Sequence, residues 1–98
     1  MKKMNALENL TAREVCKILS ANLHKLIKIY NWKNELVFNG IINECILQEG
    51  IIPCVRCYVS TKYKPNTIWF SEYAIVGWGI KVMPEIDLML FKIEHDIA

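Results

Sequence analysis

Residues 25–45, KLIKIYNWKNELVFNGIINEC, predict a β-hairpin with one apolar face, and this hairpin decides the fold. Two runs rich in β-branched and aromatic residues flank a polar stretch at positions 31–34, which has the composition of a turn. A register that pairs Tyr30 with Glu35 places alternate apolar residues of both strands on one face. Gly40 interrupts the second strand, and an isolated glycine in a strand is typical of a bulge or a bend.

The segment before the hairpin predicts a helix. Thr11 and Glu14 have the spacing of a capping box, in which each side chain accepts a hydrogen bond from the backbone of the other residue. Val15 and Leu19 then recur with the period of a helix, which we expect to cover residues 12–22. A helix of about three turns is marginal alone in water, so it has to pack against the sheet.

The rest of the chain predicts further strands. Turn-forming residues separate extended segments at residues 51–61, 68–70, 74–83 and 86–94. The predicted fold class is therefore α+β, with one N-terminal helix packed on a small antiparallel sheet of about five strands.

Composition limits the class of protein. The chain has 98 residues, 53% of them hydrophobic, with only four glycines and three prolines, which predicts one ordered domain over residues 1–98. We expect residues 1–10 to be frayed, because they carry charges and few apolar side chains. No apolar run approaches the roughly 18 residues of a membrane helix, and we see no signal peptide. We therefore expect a cytoplasmic protein that contacts no membrane.

The charge of the chain is weakly positive, with a net charge of +2 and a pI of about 8.4. A dedicated nucleic-acid-binding protein usually has a clustered basic face and a pI above about 9. A protein that mimics DNA should instead be strongly acidic. The charge therefore excludes a DNA mimic and gives little support to nucleic-acid binding.

The last predicted hairpin, formed by residues 74–83 and 86–94, is apolar on both faces. Its outer face holds Met83, Leu88 and Leu90 with a single charged residue. A strand that is apolar on both faces must be covered on both sides, and one helix covers only one side of a sheet. We therefore predict a homo-oligomer, most simply a two-fold dimer, with these three residues in its interface. The alternative is that this strand is a buried central strand of the sheet.

Aromatic and cationic side chains are concentrated in residues 56–81. Aromatic rings stack nucleobases and cations neutralise phosphate, so this mixture predicts an anionic, nucleotide-type ligand or a single-stranded nucleic acid. The alternative is that the tryptophans belong to the core and the lysines are solvated charges at a sheet edge. The predicted ligand-binding residues are Arg56, Lys62, Tyr63, Lys64, Trp69, Tyr73 and Trp78.

The cysteines and histidines favour neither metal binding nor catalysis. Cys54 and Cys57 form a C-x-x-C pair, but residues three apart on a strand point to opposite faces, so the two thiols should not converge. The other cysteines and the histidines lack the spacing of metal ligands. The sequence also lacks the motifs of α/β-hydrolases, zinc proteases and phosphate-binding loops. We therefore expect a protein that is not an enzyme and uses no metal or cofactor.

A capped helix followed by LIKIYNWKNELVFNGIINE and by apolar strands ending in LMLFKI resembles small uncharacterised proteins of low-GC bacteria and their phages. The resemblance implies an accessory protein of a phage or mobile element and no particular activity. Three hypotheses follow. The first is an anti-defence protein that sequesters an anionic nucleotide as a homo-oligomer. The second is an inhibitor of a host defence protein or CRISPR effector that needs no small ligand, and the third is a small nucleic-acid-binding regulator.

Overall fold

The computed structural model describes residues 10–62 and 66–97. Its elements, in chain order, are α1 (Ala12–Ser20), β1 (Leu26–Tyr30), β2 (Leu36–Gln48), β3 (Cys54–Val59), β4 (Asn66–Ser71), β5 (Gly79–Val82) and α2 (Glu85–Glu94). The strands form one antiparallel five-stranded sheet in the order β4-β3-β2-β1-β5. α1 packs on β2 and β3, so the predicted α+β class, with its N-terminal helix on a sheet, is confirmed.

α1 begins where the sequence predicts because its first turn is capped. The Glu14 backbone N–H donates to Thr11 Oγ1 at 3.2 Å, and the Thr11 backbone N–H donates to the Glu14 carboxylate at 3.1 Å. This capping box satisfies donors that the helix leaves unpaired, an effect of about 1 kcal/mol. α1 ends at Ser20, slightly before the predicted end, and it buries Val15 and Leu19 completely.

The first hairpin forms, but its register differs from the predicted one. Tyr30 pairs with Leu36 rather than with Glu35. Val37 is then an extra residue of β2, and the regular pairing resumes at Phe38. This irregularity restores the alternation, so Ile27, Ile29 and Phe38 still share the inner face.

The side chain of Asn31 sets this register. Its Oδ1 accepts hydrogen bonds from the backbone N–H groups of Lys33 and Glu35, at 3.0 and 2.9 Å. Asn34 has a φ of 66°, a left-handed conformation that asparagine tolerates. Glu35 therefore belongs to the turn, and the strand starts at Leu36.

Gly40 is not the position of a bulge, contrary to the expectation from the sequence. It pairs regularly with Ile27, and a Cβ added here would lie 3.0 Å from the Phe38 ring. The glycine makes room for this ring. The second irregularity of β2 lies at Asn43, where the strand changes its partner from β1 to β3.

The core lies between α1 and the inner face of the sheet, which is the face that carries Ile27 and Ile29. Leu10 belongs to this core, although the sequence analysis grouped it with a frayed terminus, and residues 1–9 lie outside the described residues. The buried side chains of this core come from α1, from the sheet and from the connection between β4 and β5: Leu10, Ala12, Val15, Leu19, Ile27, Ile29, Ile42, Val55, Cys57, Ile75, Trp78 and Ile80.

The C-terminal segment is the largest correction to the sequence-based fold. The sequence predicts a strand at residues 86–94, but the structure has the helix α2 there. The prediction is wrong because this run is apolar at most positions, and such a run shows neither the alternation of a strand nor the stripe of an amphipathic helix. The acidic residues Glu85 and Asp87 in the first turn are a helix signal that the prediction overlooked.

α2 lies on the outer face of the sheet, opposite α1. Leu26 and Ile41 pair across β1 and β2 on this face and are buried outside the main core. Leu26 lines a groove together with Leu90 and Phe91 of α2. The sheet is thus covered on both sides near β1. Neither α1 nor α2 is long and apolar enough to cross a membrane.

The strand face from which the interface of Met83, Leu88 and Leu90 was predicted is corrected, whereas the interface itself stays a prediction. The three residues do not share a strand face, because Met83 precedes α2 and the other two lie within it. Leu88 lines a groove with Val82 on one side of α2, whereas Leu90 lines the groove with Leu26 on the other side. The outer strand face on which the prediction rested therefore does not exist.

Candidate functional site

The structure places the predicted ligand-binding residues in separate regions. Arg56 and Trp69 lie on the outer face of the sheet, on β3 and β4. Tyr73 lines a groove beside the turn of the first hairpin. Lys62 lies close to the chain that follows α2, with its Nζ 3.1 Å from the carboxylate of Asp96. Tyr63 and Lys64 lie outside the described residues.

Trp78 belongs to the core. The residue is only 3% exposed. Its ring packs edge-to-face on Phe70, with the ring centres 4.8 Å apart, and Phe70 in turn contacts Phe38 in the same manner at 6.4 Å. This corrects the sequence-based assignment of Trp78, because its ring has almost no free surface on which a base could stack.

Arg56 and Trp69 form a cation–π pair on the outer face. They are direct neighbours across β3 and β4, and the guanidinium carbon lies 4.4 Å from the centre of the Trp69 ring. Arg56 also donates to the Tyr58 hydroxyl at 3.2 Å. Trp69 is 51% exposed. The pair offers a positive charge beside a half-exposed ring, which are the two elements that the sequence predicts for an anionic ligand.

A groove of about 470 Å³ lies between the turn of the first hairpin and the connection from β4 to β5. Trp32 and Tyr73 are both exposed and form its rim, whereas the buried ring of Trp78 contributes to its floor. None of the lining residues carries a charged side chain. They are Asn31, Trp32, Val37, Phe70, Tyr73, Ala74, Val76 and Trp78.

The groove is held together by contacts between segments that are distant in the sequence. Ile75 is completely buried and anchors the connection from β4 to β5 in the core. Gly77 has a φ of 76°, and a Cβ added there would lie 2.8 Å from the Cβ of Trp32. This close approach of backbone and side chain joins the two walls of the groove. The sequence analysis did not include Trp32 among the binding residues. The signal that could have identified it is the presence of a tryptophan in an otherwise polar turn.

Three thiols lie close together between α1 and the sheet. Cys45 and Cys57 pair directly across β2 and β3 with their sulfurs 3.7 Å apart, and Cys16 of α1 lies near Cys45. The contact with Cys57 and burial both raise the pKa of the Cys45 thiol, and burial raises the pKa of the Cys16 thiol. Thiols with a raised pKa are poor nucleophiles. This cluster therefore packs as part of the core.

The C-x-x-C pair behaves as predicted. Cys57 faces the core. Cys54 lies on the other face of the strand, where its thiol donates to the Ile52 carbonyl. In the part of the chain that the structure describes, no group of three or more histidine, cysteine, aspartate or glutamate side chains is arranged to hold a metal ion. The groove and the Arg56–Trp69 pair therefore remain as the candidate sites.

Comparison of the chain with protein-family models, with curated proteins and with solved structures finds no match. The groove and the Arg56–Trp69 pair are therefore the two surfaces that bear on function. The groove is concave and apolar, and it has two aromatic rings at its rim. The Arg56–Trp69 pair is charged and lies on a sheet face.

Proposed function

We propose that this chain is an accessory protein that acts by binding another protein, and that the groove between Trp32 and Tyr73 is its binding site. The observation that carries the proposal is a concave surface lined by uncharged side chains, with two exposed aromatic rings at its rim. Tyrosine and tryptophan are enriched at the residues that dominate binding energy in protein interfaces. Exposed apolar surface of this kind is typical of an interaction site.

The chemistry of the groove indicates the chemistry of its partner. The lining itself offers rings and aliphatic side chains with one amide, that of Asn31, and the Lys33 ammonium lies outside it, 5.2 Å from the centre of the Trp32 ring. An apolar or aromatic side chain on an exposed segment of the partner would bury its surface there and gain the usual hydrophobic free energy. The groove therefore suits a peptide segment of a protein better than an anionic nucleotide.

This mode of action corresponds to the second hypothesis from the sequence, an inhibitor of a host defence protein that needs no small ligand. The resemblance noted in the sequence implies an accessory protein of a phage or mobile element and no particular activity, so the inhibitory role rests on the groove alone. The proposal requires no second copy of the chain. The homo-oligomer predicted from the sequence concerns a different part of the molecule, the C-terminal segment.

Selection of random peptides on the immobilised protein tests the groove. We expect the enriched peptides to carry large apolar side chains. Trp32→Ala and Tyr73→Ala should each weaken their binding by about thirtyfold, which corresponds to the ~2 kcal/mol of a dominant interface residue. Both side chains are exposed, so the melting temperature should change little.

Trp69→Ala is the matched control, because it removes an exposed ring from another surface. It should leave the affinity of the selected peptides unchanged. Failure to enrich any peptide that depends on Trp32 or Tyr73 would contradict the proposal, as would equal losses in all three variants.

The Arg56–Trp69 pair supports a second candidate function, the binding of an anionic nucleotide. A guanidinium 4.4 Å from a half-exposed ring could contact a phosphate while the ring stacks a base. A thermal-shift panel of cyclic and linear nucleotides tests this function. A nucleotide present at about 100 times its Kd should stabilise the protein by about 2.7 kcal/mol.

Arg56→Gln should abolish that stabilisation, whereas Tyr73→Ala should preserve it because Tyr73 lies in the groove. A panel without any stabilising nucleotide argues against this second function. The same conclusion holds if a nucleotide stabilises the Arg56→Gln variant as strongly as the unaltered protein.

A further inference from the structure

α2 exposes a continuous apolar stripe. No residue of this helix is buried, although Leu88 and Phe91 lie half-buried on the side towards the sheet. The opposite side carries four large apolar residues with the spacing i, i+3, i+4 and i+7, which places them on one face. They are Ile86, Met89, Leu90 and Ile93, which are 60, 54, 50 and 72% exposed.

This stripe is more than scattered surface hydrophobicity. Single exposed apolar residues are common on proteins, but a contiguous row of them marks an interaction surface. A helix with apolar residues on two opposite sides is normally covered on both of those sides. α2 is covered by the sheet on one side only, so its other side requires a partner.

The charges beside the stripe indicate what that partner is. Glu85 and Lys92 are seven residues apart, so they lie on the same flank of the stripe, one near each end. When two identical helices pack antiparallel across a two-fold axis, the same flank of each helix meets and opposite ends lie side by side. Glu85 of each copy then lies beside Lys92 of the other copy.

A parallel pair brings opposite flanks together, so Lys92 of each copy would lie beside Glu94 of the other, but Glu85 would lie beside Asp87. It would bring the acidic first turns of both helices together, with Glu85 and Asp87 of each copy at the same end. It would also align the two helix dipoles, whereas an antiparallel pair places the positive end of each dipole beside the negative end of the other. The helix dipoles therefore favour the antiparallel arrangement.

The other flank of the stripe is acidic, with Asp87 and Glu94. Both residues line a groove that also contains Lys28 of β1. Each copy thus supplies a cation next to its own acidic pair, which offsets the repulsion that two such flanks would otherwise experience.

We propose that α2 is a homodimerisation helix that packs antiparallel on α2 of a second copy of this chain. The ten residues of the helix span only about 15 Å, less than is needed for the ~800 Å² that each partner of a stable interface usually buries. We therefore expect a weak dimer, with a Kd on the order of micromolar. The groove between Trp32 and Tyr73 takes no part in this dimer, so a test of the dimer does not depend on the proposed function.

Sedimentation velocity from about 0.05 μM to about 1 mM tests the dimer, because this range brackets the expected Kd. The unaltered protein should pass from monomer to dimer. Ile93→Lys, which places a charge within the apolar stripe, should keep it monomeric throughout. Ile51→Lys introduces the same charge at a fully exposed isoleucine between β2 and β3, and it should leave the Kd unchanged.

Charge reversal tests the arrangement of the two helices. Glu85→Lys and Lys92→Glu should each raise the Kd by about tenfold, because each replaces two attractive contacts by two repulsive ones. An equimolar mixture of the two variants should regain the original affinity, since every contact in the mixed dimer again joins a lysine to a glutamate.

Three results would overturn the proposal. The first is an unaltered protein that stays monomeric over the whole range. The second is a dimer that survives Ile93→Lys, or that Ile51→Lys disrupts equally. The third is a mixture of the charge-reversed variants that associates no better than either variant alone, which would exclude the antiparallel contact.

Discussion

Replacement of Trp78 by alanine is expected to lower the free energy of unfolding by about 3–5 kcal/mol. The residue is 3% exposed, and its ring packs edge-to-face on Phe70 with the ring centres 4.8 Å apart. Its removal takes away buried apolar surface and leaves a cavity that the surrounding strands can only partly fill. Chemical denaturation followed by circular dichroism measures the effect.

Trp69→Ala is the control for this prediction, because Trp69 is 51% exposed and faces the other side of the sheet. Its main contact is the cation–π interaction with Arg56, and such contacts contribute about 0.5–1 kcal/mol at exposed positions. We expect a loss of at most about 1 kcal/mol. Similar losses for the two tryptophans would show that Trp78 does not support the core in the way its burial indicates.

These two tryptophans show what the sequence could and could not predict about the site. Composition identified both as candidate ligand-binding rings. Alternation along β4 places Trp69 and Phe70 on opposite faces, but the sequence does not say which face is the inner one. The choice depends on the pairing of β3 with β4, which sets Arg56 opposite Trp69 and Val55 opposite Phe70. That pairing is tertiary information.

The predictions that rest on local sequence signals were the most reliable ones. The capping box of Thr11 and Glu14 predicts the start of α1, because both of its hydrogen bonds lie within four residues. The hairpin is predicted as well, since its apolar alternation and its polar turn are local. Its register was missed by one residue at Tyr30, because the Asn31 side chain binds two backbone N–H groups and extends the turn to Glu35. It was missed by two residues from Ile29 onwards, because Val37 is an extra residue of β2.

The helix α2 and the groove exceed what local patterns can predict. A uniformly apolar run fits a strand buried on both faces as well as it fits a helix, so periodicity does not distinguish the two. The groove depends on a contact between Trp32 and the backbone at Gly77, which are 45 positions apart in the sequence. No pattern within either segment indicates that they meet.

Gly77→Ala is expected to lower the free energy of unfolding by about 2–4 kcal/mol, because two costs combine. A φ of 76° is unfavourable for a residue with a side chain. The added Cβ would also lie 2.8 Å from the Cβ of Trp32, so either the hairpin turn or the connection from β4 to β5 has to move. Denaturation measures the stability, and the affinity of a groove-dependent peptide measures the displacement of Trp32.

Gly50→Ala separates this effect from the general consequence of replacing a glycine. A Cβ at Gly50 would meet nothing within 4 Å, and its φ is not in the left-handed region. The control should therefore change the stability by no more than about 0.5–1 kcal/mol and should leave the peptide affinity intact. If Gly77→Ala is as mild as Gly50→Ala, the two walls of the groove are not joined at this contact. If Gly77→Ala weakens folding but leaves the peptide affinity intact, Trp32 keeps its place without the glycine, and the turn alone positions it.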